Sequence, residues 1–584
     1  VGLLSCGLIG YEIALMRVLL YASWHHFAFL IISAALLGFG ISGTALSLLR
    51  PWLLARSDRA IPVLIFAAAF SMPLSVQAAQ HLPVSAQIVP VLWERQALAW
   101  IAYWMMLTVP FVLGASAIGL ALMAAGGRLA AVYAANLGGS AAGAVAAPAC
   151  MYLISPAWLS VAMGGLVFAA LIPLVRRPGD GIRAGAAVLA GGIWFYGQPP
   201  AVRVDPGKYR AYIDRLVADG RAVQAASACG PRAVIEVFRS DTFHELPFLS
   251  VGTAPPPMDA IVMDGHWAGS LLRIARPEEG EAMDRTLMAA VYGLAPPAPS
   301  VLLLGECGGA NVWLALRHAA KAVHVVQPDR RLTDLLTGPL RREGGVVFTL
   351  PGVSVHTAEP RHFVEADAAR YEVIQLVATE SWATSSTGIE GLNQDHLITV
   401  EGLTACLRRL SPDGILHVSR GIQLPPRDSV KLLATLLAAL KRLGAARPEE
   451  HVAIVRDFLG VCTMVKRRPW TPEDIGRLRA LCGQRALTPV YFPGVRPEEL
   501  NHPDLLPGPP GAAGDWLHET AIRLFSGQAE TFLASGPFDV RPPTDDRPFF
   551  ANFGKLAALG AFREAYGDLW LLRTEIAELF VLVA

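Results

Sequence analysis

The residues whose types and spacing suit chemistry begin at the turn Gly305-Glu306-Cys307-Gly308-Gly309, between the apolar run 301–304 and a helical stretch over 310–320. A glycine turn at a helix N-terminus lets a ligand reach backbone N–H groups, and an acidic residue ending the second strand commonly holds ribose hydroxyls. The second run, 322–326, ends in Gln327-Pro328-Asp329. Gly305, Cys307, Gly309, Gln327 and Asp329 are therefore candidate nucleoside contacts. The same turn would serve equally for close strand–helix packing, since a fold does not dictate a function. Glu380, just past the strand-like run 371–377, is the candidate base near the strand ends where α/β ligands bind. Its plainer reading is a loop carboxylate exposed to water.

A second group of polar residues lies among apolar ones. Glu12 and Arg17 stand in the first hydrophobic run, Asn136 in the fifth, and the pair His25-His26 follows Trp24 in the first connection. Ionisable groups at membrane depth are costly enough to mark pathways or partner contacts. The alternative is that Glu12 pairs with another helix and that Arg17 snorkels toward the headgroups. His25-His26 has the types for a metal or proton site, but no further His or carboxylate is near in sequence, and a place in an interfacial belt explains it as well. The seven cysteines contain no C-x-x-C, so no zinc ribbon, c-type haem or dithiol pair is written, and no metal is expected.

These residues are positioned by two kinds of element. The chain of 584 residues is 53% hydrophobic and only 17% charged, too apolar for an ordinary soluble protein of this size. The excess is concentrated before residue 203. A spanning helix needs about 20 mainly apolar residues, and segments 1–22, 27–49, 60–78, 96–124, 128–152, 156–175 and 184–202 supply seven candidates. Arg50, Arg56, Arg59, Arg128, Arg176, Arg177 and Arg183 fall after the second, fourth and sixth, whereas only Arg95 falls after the first, third and fifth. Because arginines of short loops stay cytoplasmic, the N-terminus is expected inside and the later domain outside. If the seventh segment were only interfacial, that domain would return to the cytoplasm. The runs Gly38–Gly43 and Gly138–Gly143 predict close helix packing of the small-xxx-small kind. A net charge of +1, without a basic patch interleaved with aromatics, excludes a nucleic-acid partner. The final run 566–584 predicts the start of a further membrane segment.

From about 300 onward, short β-rich runs alternate with helical stretches, the βαβ signature of a doubly wound sheet. Further strands are expected at 371–377 and 414–419, and two before the sheet at 232–237 and 260–265. The expected architecture is thus a helical membrane bundle (1–202), a small β subdomain (203–298), a Rossmann-like α/β domain (299–470) and a C-terminal helical extension (471–565). Met263-Asp264-Gly265, the glycine turn and Thr544-Asp545-Asp546-Arg547-Pro548-Phe549-Phe550, together with Tyr11-Glu12 and the helix from Phe27 to Gly43, carry a resemblance. The chain resembles the bacterial multi-pass membrane proteins that carry a spermidine synthase-like domain, a polyamine aminopropyltransferase on a class I methyltransferase fold.

The resemblance implies a nucleoside over the glycine turn, and S-adenosylmethionine or its decarboxylated form as cofactor if the domain is active. It also shows departures. Cys307 stands where a glycine would allow close approach, Gln327 where the ribose-binding acid belongs, Met283-Asp284-Arg285 on the segment that contacts the polyamine, and Val377 on the aspartate that deprotonates the attacking amine. Val377 cannot take a proton. The expected function is therefore a multi-pass inner-membrane protein whose domain has lost aminopropyl transfer, binds no cofactor, lies more on the periplasmic side and docks protein partners in a membrane complex. The expected docking surface lies within 425–540, with Trp470, Trp516 and the loop 506–511. Two alternatives stand beside it: a nucleoside-dependent transferase with a non-polyamine acceptor and Glu380 as base, and a transporter with a polar cavity around Glu12 and Asn136.

Overall fold

Uncharged runs of this length form helices because the backbone then satisfies its own hydrogen bonds. The computed structural model describes residues 1–23, 28–84, 92–174, 185, 200–250, 252–377, 393–423, 427–500, 515–527, 529–555, 560 and 563. They fall into two units, Val1–Ala211 with Ala228–Val234, and Tyr212–Ser227 with Ile235–Ala584.

The first unit holds α1 (Gly2–Ala22), α2 (Ala28–Leu48), α3 (Ser57–Ala79), α4 (Trp93–Ala124), α5 (Leu129–Cys150) and α6 (Pro156–Ala169). With their flanking turns, six helices among the described residues are long and apolar enough to cross a membrane. They coincide with the first six expected segments. Most of the seventh segment, all of 566–584, and His25 and His26 lie outside the described residues.

Contacts along α1 fix the direction of its neighbours. Tyr11 donates to the Met72 carbonyl of α3 at 3.2 Å, and its ring lies 5.5 Å from Phe111 of α4. Gly2 and Cys6 face Gly139 and Gly143 of α5, while Gly7 and Gly10 face Val167 and Met163 of α6. Helices α3 and α5 thus run parallel to α1, and α4 and α6 antiparallel to it. Trp104 of α4 donates to the Leu30 carbonyl at 3.2 Å, and Leu46 packs on Gly119, so α2 runs with α4. A Cβ at Gly139 or Gly143 would collide with the carbonyl of Gly2 or Cys6. This is the close approach that the small-residue run predicted. Of the glycines in the other run, Gly38 packs against Phe111, whereas Gly40 and Gly43 meet nothing within 4 Å. Arg17 corrects the snorkelling expectation: it is 3% exposed, enclosed by protein. Asn136 accepts a hydrogen bond from Ser5 at 2.7 Å, so it ties α5 to α1, and Glu12 is half-buried.

The second unit contains two sheets. The first has the order β1-β2-β3-β4, with β1 Val223–Cys229, β2 Val234–Arg239, β3 Met258–Met263 and β4 His266–Leu272. Asp264 and Gly265 join β3 to β4 with φ of 49° and 80°. That is the positive-φ pair a two-residue hairpin demands, so Asp264 is the turn residue its Asp-Gly sequence suggests.

The second sheet has the order β12-β10-β11-β9-β8-β5-β6-β7. Its strands are β5 Ser300–Leu304, β6 Ala322–Val326, β7 Val353–His356, β8 Tyr371–Leu376, β9 Leu410–Gly421, β10 Val452–Arg456, β11 Gly460–Lys466 and β12 Thr488–Tyr491. Strands β7, β6, β5, β8 and β9 are mutually parallel, β11 lies antiparallel between β9 and β10, and β12 pairs antiparallel on the outer side of β10. From β5 the chain winds outward to β6 and β7, then returns across β5 to β8. The carboxyl ends of β5 and β8 therefore form the topological switch point where such sheets bind ligands.

One expectation about the C-terminal region is corrected. Trp470 and Trp516 are 6% and 4% exposed, and Trp470 donates to the His451 carbonyl at 3.0 Å, so both are core residues and not docking anchors. The loop 506–511 lies outside the described residues. The segment 544–547 is a turn, closed by Arg547 N–H on the Thr544 carbonyl at 2.8 Å. Asp545, however, reaches beyond it to Arg361 at 3.0 Å and Thr399 at 2.7 Å.

Candidate functional site

The switch point is built from the Gly305–Gly309 turn after β5, α7 (Ala310–Arg317), α8 (Arg330–Thr337), which begins after β6, and Val377 after β8. Gly305 and Gly309 have φ of 84° and 85°, so both need the freedom of glycine. The side chain that organises the turn is Glu306, only 3% exposed. Its carboxylate accepts from Gly309 N–H at 2.7 Å, Asn311 N–H at 3.3 Å and Asn311 Nδ2 at 2.6 Å. N–H groups at the start of α7, the ones an anionic or nucleoside ligand would use, are already satisfied from within.

The outer face of the turn is occupied by β4. A Cβ at Gly308 would collide with the Ser270 carbonyl, and one at Gly269 would lie 3.2 Å from Cys307 Cβ and Gly308 N. Two glycines on different elements thus allow two backbones to touch. Cys307 is buried, with its sulfur 3.3 Å from Gln327 Nε2. Gln327 also donates to the Glu306 carbonyl at 3.1 Å and accepts from Asp329 N–H at 3.1 Å, so both ends of its amide are engaged. Asp329 caps α8 by accepting from Arg331 N–H at 2.9 Å and is 5% exposed.

Asp284, on the segment where the resemblance puts polyamine contacts, is bound elsewhere. Arg317 Nη2 lies 2.6 Å and His318 Nε2 2.8 Å from its carboxylate oxygens. Burial alone would raise this carboxyl, but the hydrogen bonds from His318 and Arg317 outweigh it and pull the group down to about 2. His318 stacks on Tyr292 at 4.9 Å, and Tyr292 donates to Gln375 Oε1 at 2.9 Å. Beyond it, His417 sits fully buried on β9 between the Leu287 carbonyl at 3.3 Å and Ser419 Oγ at 3.2 Å. Burial pushes it down to about 4, which keeps it neutral.

Among the described residues, one cavity at the strand ends measures about 40 Å³ and is lined by Phe248, Met283, Met288, Asn311, Val377 and Ser419 among others. Glu380 lies outside the described residues. The structure thus brings Gly305, Cys307, Gly309, Gln327 and Asp329 together, joined to one another and to Glu306. Among the described residues no group of three or more His, Cys, Asp or Glu side chains is arranged to hold a metal ion. Sequence reasoning missed Glu306 as the keystone and Gly269 as its counterpart. A lone glycine inside a strand does signal close backbone approach, so Gly269 carried a usable sign.

Strand order and glycine turn together define a doubly wound α/β domain. No family profile matches the chain, and no curated protein does. Among solved structures it is similar to a probable spermidine synthase from Corynebacterium glutamicum, at 15% identity over 44% of this chain and 86% of that one, with a TM-score of 0.31. It is also similar to a spermidine synthase in complex with the transition-state analogue AdoDATO (15% identity, 43% and 76% covered, TM-score 0.29). A third is the spermidine synthase from Thermotoga maritima (14% identity, 53% and 86% covered, TM-score 0.30).

Proposed function

We propose that this chain is an integral membrane protein whose spermidine synthase-like domain no longer transfers an aminopropyl group and serves as a binding or docking module of an inner-membrane assembly. The observation that carries the reading is the interlock of the turn: Glu306 takes up the N–H groups of Gly309 and Asn311, and Gly308 lies against the Ser270 carbonyl. The groups that would hold a nucleoside or an amine are meanwhile spent on one another. Aminopropyl transfer needs a base within reach of the attacking amine, and Val377 at the end of β8 is none.

Helix directions support an outward-facing domain. Leu174 follows α6 at the end of the bundle that holds Val1. Residues 201–208 join the other end: Asp205 N–H donates to the Ala22 carbonyl at 2.7 Å, Lys208 Nζ to the Leu20 carbonyl at 2.7 Å, and Gln77 Nε2 to the Ala201 carbonyl at 3.4 Å. The end at which residues 201–208 leave the bundle, taken with the arginine bias of the Val1 side, supports a periplasmic domain.

The test is calorimetric titration of the full chain in detergent with S-adenosylmethionine, its decarboxylated form and methylthioadenosine. No heat of binding is expected from any of them. Micromolar binding of one nucleoside would overturn the reading in favour of a transferase.

A further inference from the structure

A groove of about 600 Å³, separate from the switch point, runs between the ends of β2 and β4 and the turn 341–346, and four arginines line it: Arg239, Arg273, Arg341 and Arg342. Their arrangement is built from beneath. Asp259 of β3, with no exposed surface, accepts from Arg239 Nε and Nη2 at 3.2 and 2.9 Å and lies 3.6 Å from Arg273 Nε. Arg239 is also paired with Glu343, and Arg273 with Asp241 at 3.1 Å. Glu279, the other carboxylate of the lining, is engaged by Arg276 at 3.2 Å and by Ala275 N–H at 2.9 Å. Arg341 and Arg342 differ. Both are exposed, and neither has a carboxylate within 4.0 Å among the described residues; Arg341 only reaches Thr349 Oγ1 at 3.3 Å.

The unmatched charge at the mouth is thus that of two adjacent guanidinium groups, beside two more whose orientation a buried carboxylate fixes. Guanidinium forks match the paired oxygens of phosphate, and a phosphomonoester supplies close to two negative charges near neutral pH. We infer that this groove binds a phosphomonoester group, carried either by a soluble metabolite or by the headgroup of an anionic lipid. The inference is independent of whether the switch point is catalytic, because no residue is shared between the two.

The test uses the full chain in phosphatidylcholine nanodiscs and reads hydrogen–deuterium exchange over 341–349. One arm adds glycerol 3-phosphate; the other replaces part of the lipid with phosphatidic acid. Slowed exchange is expected in at least one arm, and which arm responds names the source. The double variant Arg341→Glu/Arg342→Glu changes only exposed side chains and should weaken binding about a hundredfold, from the loss of charge-assisted hydrogen bonds. No protection in either arm, equal protection in the double variant, or the same effect from sodium chloride at matched ionic strength would overturn the inference.

Discussion

Both halves of the molecule use glycine to bring two backbones into contact, but the partner is found by different rules. In the bundle, Gly139 and Gly143 stand four apart on one helix face and meet the carbonyls of Gly2 and Cys6, one turn apart on another. In the α/β domain, Gly308 meets Ser270 and Gly269 meets Cys307, a pairing between a loop and a strand of a different sheet. Helical periodicity announces the first kind of contact in the sequence. The second depends on the tertiary path of the chain, and it decides whether a glycine turn is a cradle or a joint.

The sharpest way to break this comparison is to add a side chain at each contact. Gly308→Val and Gly139→Val should each cost about 3 kcal/mol or more, since neither backbone can withdraw without moving its element. Thermal unfolding in detergent would measure both. A turn that merely awaited a ligand would tolerate Gly308→Val with its melting temperature unchanged.

Next in size is the response to acid, expected of the α/β domain. His417 is held near 4, below its ordinary value of 6.5, by burial. A depressed histidine contributes stability that is present above 6.5 and is lost as pH falls toward 4, on the order of 3 kcal/mol over the full range. His417→Gln should flatten that part of the pH–stability curve. Asp284 acts lower, its contribution present above 3.8 and lost as pH falls through about 2, so Asp284→Asn should leave the curve above pH 5 unchanged in shape.

A smaller effect is expected of Glu306→Gln, which keeps the shape but removes charge-assisted acceptance. About 1–2 kcal/mol should be lost in chemical denaturation. The smallest belongs to Gly40→Ala, which meets nothing within 4 Å. It should not destabilise, helix propensity adding at most about 1 kcal/mol, and that tolerance is the control for Gly139→Val.

Much of the architecture was legible because period and composition report it directly. Six apolar helices and the β5–α7–β6 unit stand where the pattern puts them, whereas the strand expected over 260–265 ends at Met263 and turns at Asp264-Gly265. The site was legible as a place but not as a state. Gln327 and Asp329 were found by position, yet nothing in their spacing says that one spends its amide on the turn and the other caps α8. Arg17 misled for a similar reason: a long cation near a helix end suggests an escape to water, while the packing of neighbouring helices encloses it. Trp470 and Trp516 read as anchors on aromatic character alone, although burial is set by elements far away in sequence.

The interlock of Glu306, Gly308 and β4 also bears on reversibility. On the function proposed above, Val377→Asp would supply a carboxylate by one codon yet leave the turn as it is, with Glu306 on its N–H groups and Gly308 against Ser270. Such a variant is expected to release no methylthioadenosine from decarboxylated S-adenosylmethionine and putrescine, and an assay for that product checks it.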